Sequence, residues 1–203
     1  MSNKCALDGE IRATLKLNLR QTDRTAAIIE ELPLLRGRGR ADIAFVNGKF
    51  SGYEIKSEAD SLVRLGTQTE HYQSVFEFIT LVVAKKHLKH ARKRIPAHWG
   101  IIEVIESHGQ VLLHERRKAR ANRYLDKMAL SRMLWKRECI RALSKLNIPA
   151  RSQTPVRDLW KLLESLPSKK LCDEVRIALK LRHRPTDSPQ IQCDDSRTTA
   201  TTE

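Results

Sequence analysis

What most narrows the fold of this chain is a pair of strand-like stretches, residues 40–46 (RADIAFV) and 50–56 (FSGYEIK), on either side of Asn47-Gly48. Asn-Gly between two β-prone runs is a strong hairpin signal. Side chains alternate along a strand, so Glu54 and Lys56 share one face while Tyr53 and Ile55 share the other. A charged face inside a small domain costs free energy unless it binds an ion or stays wet. Asp42 stands on the partner strand, and the turn decides where it points. A strict two-residue turn pairs Val46 with Lys49 and sends Asp42 and Glu54 to opposite faces. A three-residue loop, Asn47 to Lys49, pairs Val46 with Phe50 and sets Asp42 across from Glu54; a bulge at Ser51-Gly52 would do the same.

Two converging carboxylates suit a divalent cation, and a nearby ammonium suits a phosphate or a nucleophilic water. Together they are equipment for metal-dependent phosphodiester hydrolysis. Read as structure alone, the same residues make a solvated hairpin face with a cross-strand ion pair. The elements around the hairpin can also be read. A helix is expected from Asp8 onward, with Ile11, Leu15 and Leu19 as its apolar stripe. A strand follows within TAAIIEEL (residues 25–32), then a flexible basic loop, Arg36-Gly-Arg-Gly-Arg40, then the hairpin. Residues 60–76 read as a helix capped by Asp60, with Ser57 as the alternative cap. Its buried side would hold Leu62, Leu65, Tyr72, Val75 and Phe76. FITLVVA (78–84) reads as a strand buried on both faces. A basic helix at 85–94 and strands around 99–105 and 110–114 complete the set.

Asp42 with Glu54-Ile-Lys56, followed by Gln68-x-x-x-Tyr72 on the next helix, resembles the PD-(D/E)XK nuclease superfamily and its RecB-type and resolvase-like members. The resemblance covers residues 8–105; the proline of the signature is absent, since Ala41 precedes the aspartate. It implies an α/β fold, a restriction-endonuclease-like αβββαβ core with a mixed sheet. It further implies a DNA nuclease with Asp42, Glu54 and Lys56 as catalytic residues and Gln68 and Tyr72 lining the site. Asp42 and Glu54 would hold Mg²⁺, with Mn²⁺ able to substitute. A third acidic ligand often comes from the first helix of such folds; Glu10 is the natural candidate and Glu31 its rival.

The net charge of +14 points to a polyanionic partner, DNA or else RNA. Residues 115–184 alone carry 20 Lys/Arg against 7 Asp/Glu. That surplus favours nucleic-acid contact by a small, basic, all-α subdomain. Three regions are therefore expected: a nuclease-like domain at 1–114, the helical subdomain at 115–184 and a disordered tail at 185–203. Within the subdomain, residues 123–146 read as one long helix, followed by helices at 156–166 and 169–182, with Trp135 and Trp160 as core anchors. Four scattered cysteines without a Cys-x-x-Cys pair argue for reduced thiols and against a zinc knuckle. His87 and His90 lack convergent metal-ligand partners and read as a solvated helix face. No apolar leader or membrane-length stretch is legible, so a cytoplasmic protein, nucleoid-associated if bacterial, is expected. A double-strand cutter would act as a homodimer.

Overall fold

Helix α1 (Asp8–Thr22) forms where its apolar positions fall four apart, and it buries Ile11, Leu15 and Leu19. Acidic Asp8 and Glu10 lie in its first turn and Arg20 in its last, the polarity that complements the helix dipole. The computed structural model describes residues 8–183. The expected tail at 185–203 lies outside the described residues, as do Cys5 and Cys193. After α1 come strands β1 (Ala27–Leu34), β2 (Gly39–Val46) and β3 (Phe50–Lys56), then α2 (Leu65–Val75), β4 (Phe78–Ala84), α3 (Lys85–Arg94), β5 (Gly100–Ser107) and β6 (Gln110–Arg117). The six strands lie side by side in chain order. Pairs β3–β4 and β4–β5 are parallel and the others antiparallel, so the α/β sheet is mixed.

The strand period sorts side chains onto two cores. On one face, α1 packs with Ile43, Phe45, Ile55, Val82 and Val104. On the other, Ala44, Val46, Phe50, Ile79, Leu81 and Val83 meet Leu65, Tyr72, Val75 and Phe76. Gly52 lies on this second face, where an added Cβ would sit 2.5 Å from the Phe76 ring. The hairpin takes the three-residue loop: Val46 pairs with Phe50 and Ile43 with Tyr53. Asn47 closes it, its Oδ1 accepting from the Lys49 N–H at 2.9 Å. Continuing that register by one rung brings Asp42 opposite Glu54.

Two expectations on helices need correction. Helix α2 starts at Leu65, and residues 57–64 form a loop instead. Asp60 caps that loop, accepting from the Ser57 N–H (2.7 Å) and Oγ (2.6 Å). The single helix expected at 123–146 is two, α4 (Lys127–Ser131) and α5 (Lys136–Lys145). Asp126 caps the first through the Met128 and Ala129 N–H groups. Glu138 accepts from the Trp135 N–H at 2.7 Å and starts the second. No Gly or Pro marks this break; it lets Leu130 and Leu134 on one side, and Cys139 and Leu143 on the other, reach the same core. Helices α6 (Val156–Glu164) and α7 (Ser168–Arg182) follow as expected.

The two tryptophans also part company. Trp160 is buried, its Nε1 donating to the Leu134 carbonyl at 3.4 Å. Trp135 is 53% exposed, with the Arg182 and Arg137 guanidiniums 4.2 and 5.5 Å from its ring centre. It starts a helix rather than sitting within one, so its apolar spacing along a continuous helix does not exist.

Leu130, Leu143, Leu163 and Val175 join Ile79, Leu81 and Val83 in one core cluster, so the C-terminal helices pack against the sheet's second face. The expected boundary at residue 114 falls inside β6. Arg176 pairs with Glu77, and Asn122 Nδ2 donates to the Gln73 and Phe76 carbonyls, tying the segment to the end of α2. Cys139 and Cys172 are free and buried, and burial pushes both thiols up to about 12. Among the described residues no helix is long and apolar enough to cross a membrane.

Candidate active site

Glu54 and Lys56 sit two apart on β3, so they share a face, and both are buried. Lys56 Nζ lies 2.6 Å from Glu54 Oε1. Gln68, on the first half of α2, donates its Nε2 to the same oxygen at 2.5 Å. Glu54 is only 1% exposed, yet its Oε2 has no hydrogen-bond partner, and neither does Gln68 Oε1. A buried carboxylate with one oxygen satisfied twice and the other left empty is an expensive arrangement that a bound cation would relieve. These groups open into a cleft of about 630 Å³, whose walls include Asp42, Glu54, Lys56, Gln68 and Tyr72.

Asp42 reaches this cleft because β2 and β3 part beyond the Ile43–Tyr53 pair. The freed main-chain groups are not lost. The Ile55 N–H donates to Asp42 Oδ2 at 2.7 Å. The Asp42 N–H donates to the Tyr72 hydroxyl at 3.1 Å, and that hydroxyl donates to the Tyr53 carbonyl at 3.2 Å. One phenol thus bridges the two strands as both acceptor and donor. Its ring is fixed against Phe76 and Trp99, at centroid distances of 5.2 and 5.8 Å. Burial, then the nearby Glu54 and Asp42 charges, hold the Tyr72 hydroxyl well above its ordinary pKa, so it stays protonated. Tyr72→Phe keeps the ring and orphans both main-chain groups. Urea unfolding is expected to show a loss of about 1–3 kcal/mol, and an unchanged midpoint would remove Tyr72 from this role.

Burial and, after it, repulsion from Glu54 push the Asp42 carboxyl up to about 7, against the opposing pull of the Ile55 N–H, Arg12 and Lys56. An aspartate raised in the folded state binds its proton more tightly there than when unfolded. Stability is therefore fullest below the unfolded value near ~4, falls as pH rises from there, and levels off above about 7. Asp42→Asn keeps the acceptor for Ile55 and removes the charge. It is expected to be more stable than wild type by about 1 kcal/mol at pH 8, with the gap closing by pH 4. Urea titrations at both pH values check this; a gap that widens toward acid contradicts it.

On α1 the side chain nearest the pair is Arg12. Its Nη1 donates to the Asp42 carbonyl (2.7 Å) and meets Glu31 Oε1 (2.9 Å); its Nη2 lies 3.2 Å from Asp8 and 3.5 Å from Asp42 Oδ1. Glu31 occupies the rung between Glu30–Ile43 and Leu32–Ala41, opposite Asp42, and has a left-handed φ of 54°. Glu31, Asp42 and Glu54 thus fall on one row across β1, β2 and β3, although Glu31 also pairs with Arg40. Glu10 is exposed one residue before buried Ile11, and it is Asp8, one turn from Arg12, that contributes to the cleft wall. Among the described residues no group of three or more His, Cys, Asp or Glu is disposed to hold a metal.

Asp8 reads from the sequence as the N-cap of α1 rather than as a site residue, and no motif in the sequence marks Arg12 or His71 as part of the site. The i,i+4 spacing of Asp8 and Arg12 was the available signal. The His71 ring lies against Gly39, where a Cβ would come within 2.5 Å of its Nδ1. The basic loop turns through left-handed Leu35, Arg36 and Gly37 and sets Arg38 and Arg40 on the cleft rim.

The chain matches the family described as Bacteriophage P4 protein cII over residues 4–201. Protein cII of Enterobacteria phage P4 is 30% identical over 163 residues, which is 80% of this chain and 62% of that protein. The chain therefore spans under two thirds of the length of the relative it matches. No solved structure matches it.

Proposed function

The chain belongs to the bacteriophage P4 protein cII family, and from the cleft it builds we propose that it is a metal-dependent DNA nuclease of the PD-(D/E)XK type. The observation that carries this is the buried Glu54 with its unpartnered Oε2, set beside Lys56 and across from Asp42. The order α1-β1-β2-β3-α2-β4, with β3 and β4 parallel, supports the αβββαβ core.

In this proposal Asp42 and Glu54 hold Mg²⁺. The ion, when bound, lowers the pKa of its water and offsets charge on the phosphoryl oxygens. Gln68 fixes the rotamer of Glu54 through Oε1, leaving the buried Oε2 without a protein partner. Lys56, held at 2.6 Å from Glu54, orients the attacking water or a phosphate oxygen. Tyr72 fixes Asp42 by its main chain, and Arg38 and Arg40 on the rim meet the phosphate backbone.

A second reading has one observation in its favour: each carboxylate already has a cation from the chain, Lys56 on Glu54 and Arg12 on Asp42. That arrangement suits a DNA-binding or adaptor protein that keeps the fold without turnover. Matched DNA and RNA strands incubated in Mg²⁺, Mn²⁺ or EDTA separate the readings. DNA cut with either metal and intact in EDTA is expected. Salt-dependent binding without cutting would favour the second reading, and equal cutting of RNA would make the substrate ribonucleic.

A further inference from the structure

At the start of β5, guanidiniums wrap the turn that follows α3. Arg117, at the end of β6, donates Nε to the Trp99 carbonyl (2.7 Å) and Nη2 to that of Pro96 (3.1 Å). Arg120 donates Nη2 to the Ala97 carbonyl at 3.1 Å, and its main-chain N–H to that of His98 at 2.8 Å. Arg92, in the last turn of α3, closes the group. Burial, then repulsion from Arg92 and Arg120, lowers the Arg117 pKa.

No carboxylate pairs with Arg92, Arg117 or Arg120 among the described residues. Arg92 and Arg120 are exposed, but Arg117 is half-buried, and that sets it apart from the arginines that bury against a carboxylate. Arg12 meets Asp8, Glu31 and Asp42; Arg116 meets Glu103; Arg176 meets Glu77; Arg182 meets Glu138. Carbonyls hold the Arg117 and Arg120 guanidiniums in place near Arg92, like charges without a counter-ion to which an anion would be drawn.

Beside them stands an aromatic face. Tyr124 is 67% exposed, and its ring leans on His98 at a centroid distance of 5.6 Å. Its position is fixed, because its N–H donates to Asn122 Oδ1 (2.9 Å) and Asn122 is tied to the end of α2. His98 Nε2 is buried without a partner, and burial with Arg120 and Arg117 lowers the pKa of this imidazole.

We propose that Arg92, Arg117, Arg120 and Tyr124 form a second nucleic-acid contact that grips an unpaired DNA strand, the guanidiniums on phosphates and Tyr124 under a base. The contact lies where β5 begins, whereas Glu54 and Lys56 lie where β3 ends, so it holds substrate without touching the reacting bond. An acidic peptide would satisfy the arginines but leave the Tyr124 face unused. A duplex would hide its base faces. The inference deepens the DNA reading but does not need the cleft to be catalytic.

Anisotropy of labelled oligo(dT), and of a duplex of equal length, tests it in EDTA, where the cleft's chemistry is silent. The proteins are wild type, Tyr124→Ala and the double variant Arg92→Ala/Arg120→Ala. All three positions are exposed and the Arg117 contacts stay intact, and thermal melts confirm folding. Tyr124→Ala is expected to weaken oligo(dT) about tenfold and the duplex less than about twofold. The double variant should weaken oligo(dT) and flatten the slope of log affinity against log salt by about 1.4. Unchanged oligo(dT) affinity in both, or equal loss on duplex from Tyr124→Ala, overturns the proposal. Failure here with Mg²⁺-dependent cutting intact would remove this contact and leave the nuclease reading standing.

Discussion

Glu54→Gln is expected to lower Mg²⁺-dependent DNA cleavage by at least about 10³-fold, while DNA affinity in EDTA stays within about twofold of wild type. Glutamine keeps an acceptor for Lys56 and Gln68, the two donors that reach Oε1, so the local packing survives. What it loses is the negative charge and the buried, unpartnered Oε2. The proposed charged contacts to DNA, Arg38 and Arg40 in the cleft wall, are untouched. Single-turnover cleavage, with anisotropy on the same preparations, reads the two effects separately. A variant that cuts at the wild-type rate would take Glu54 out of the metal site.

Lys56→Ala should produce the largest loss of stability from any single change at the site. It leaves Glu54, 1% exposed, with one amide donor and no counter-charge. Breaking a buried pair by removing one partner costs about 3–5 kcal/mol. Because the cost comes from the stranded charge, Glu54→Gln/Lys56→Ala should recover most of it, the coupling expected of groups in direct contact. Urea unfolding of the wild type and the three variants checks the cycle. Additive losses would mean that the two side chains do not act as a pair. Cleavage should be lost in all three variants regardless of stability.

Much of this arrangement can be read along the chain, for definite reasons. The order of the first nine elements follows from periodicity, because α1 has a clean i,i+4 stripe and β4 is a continuous β-branched run. The pairing of Glu54 with Lys56 follows from strand alternation alone. The hairpin register was open between two turns, and side-chain chemistry chooses: Asn47 Oδ1 bonds the Lys49 N–H and stabilises the longer loop. The parting of β2 and β3 is not legible, since it depends on a hydroxyl delivered from α2, thirty residues along the chain from Asp42. Arg12 was invisible for a related reason. A helix pattern shows which face is buried, not which flank residue folds back over a strand. The break between α4 and α5 lacks Gly or Pro, and only packing against α6 and α7 requires it. That is why Trp135 reads as core and lies at the surface. Glu10 reads as a ligand on resemblance alone, while the geometry puts Asp8 in the cleft wall.

The most direct test of the central claim is cleavage of supercoiled, linear duplex and single-stranded DNA by wild type and Glu54→Gln, purified side by side, in Mg²⁺ or EDTA. Cutting by wild type in Mg²⁺, absent in EDTA and in the variant, is the predicted result. Binding by both proteins with no cutting in either metal condition would contradict the nuclease reading and leave a DNA-binding scaffold. Equal cutting by both proteins would place the activity outside this site.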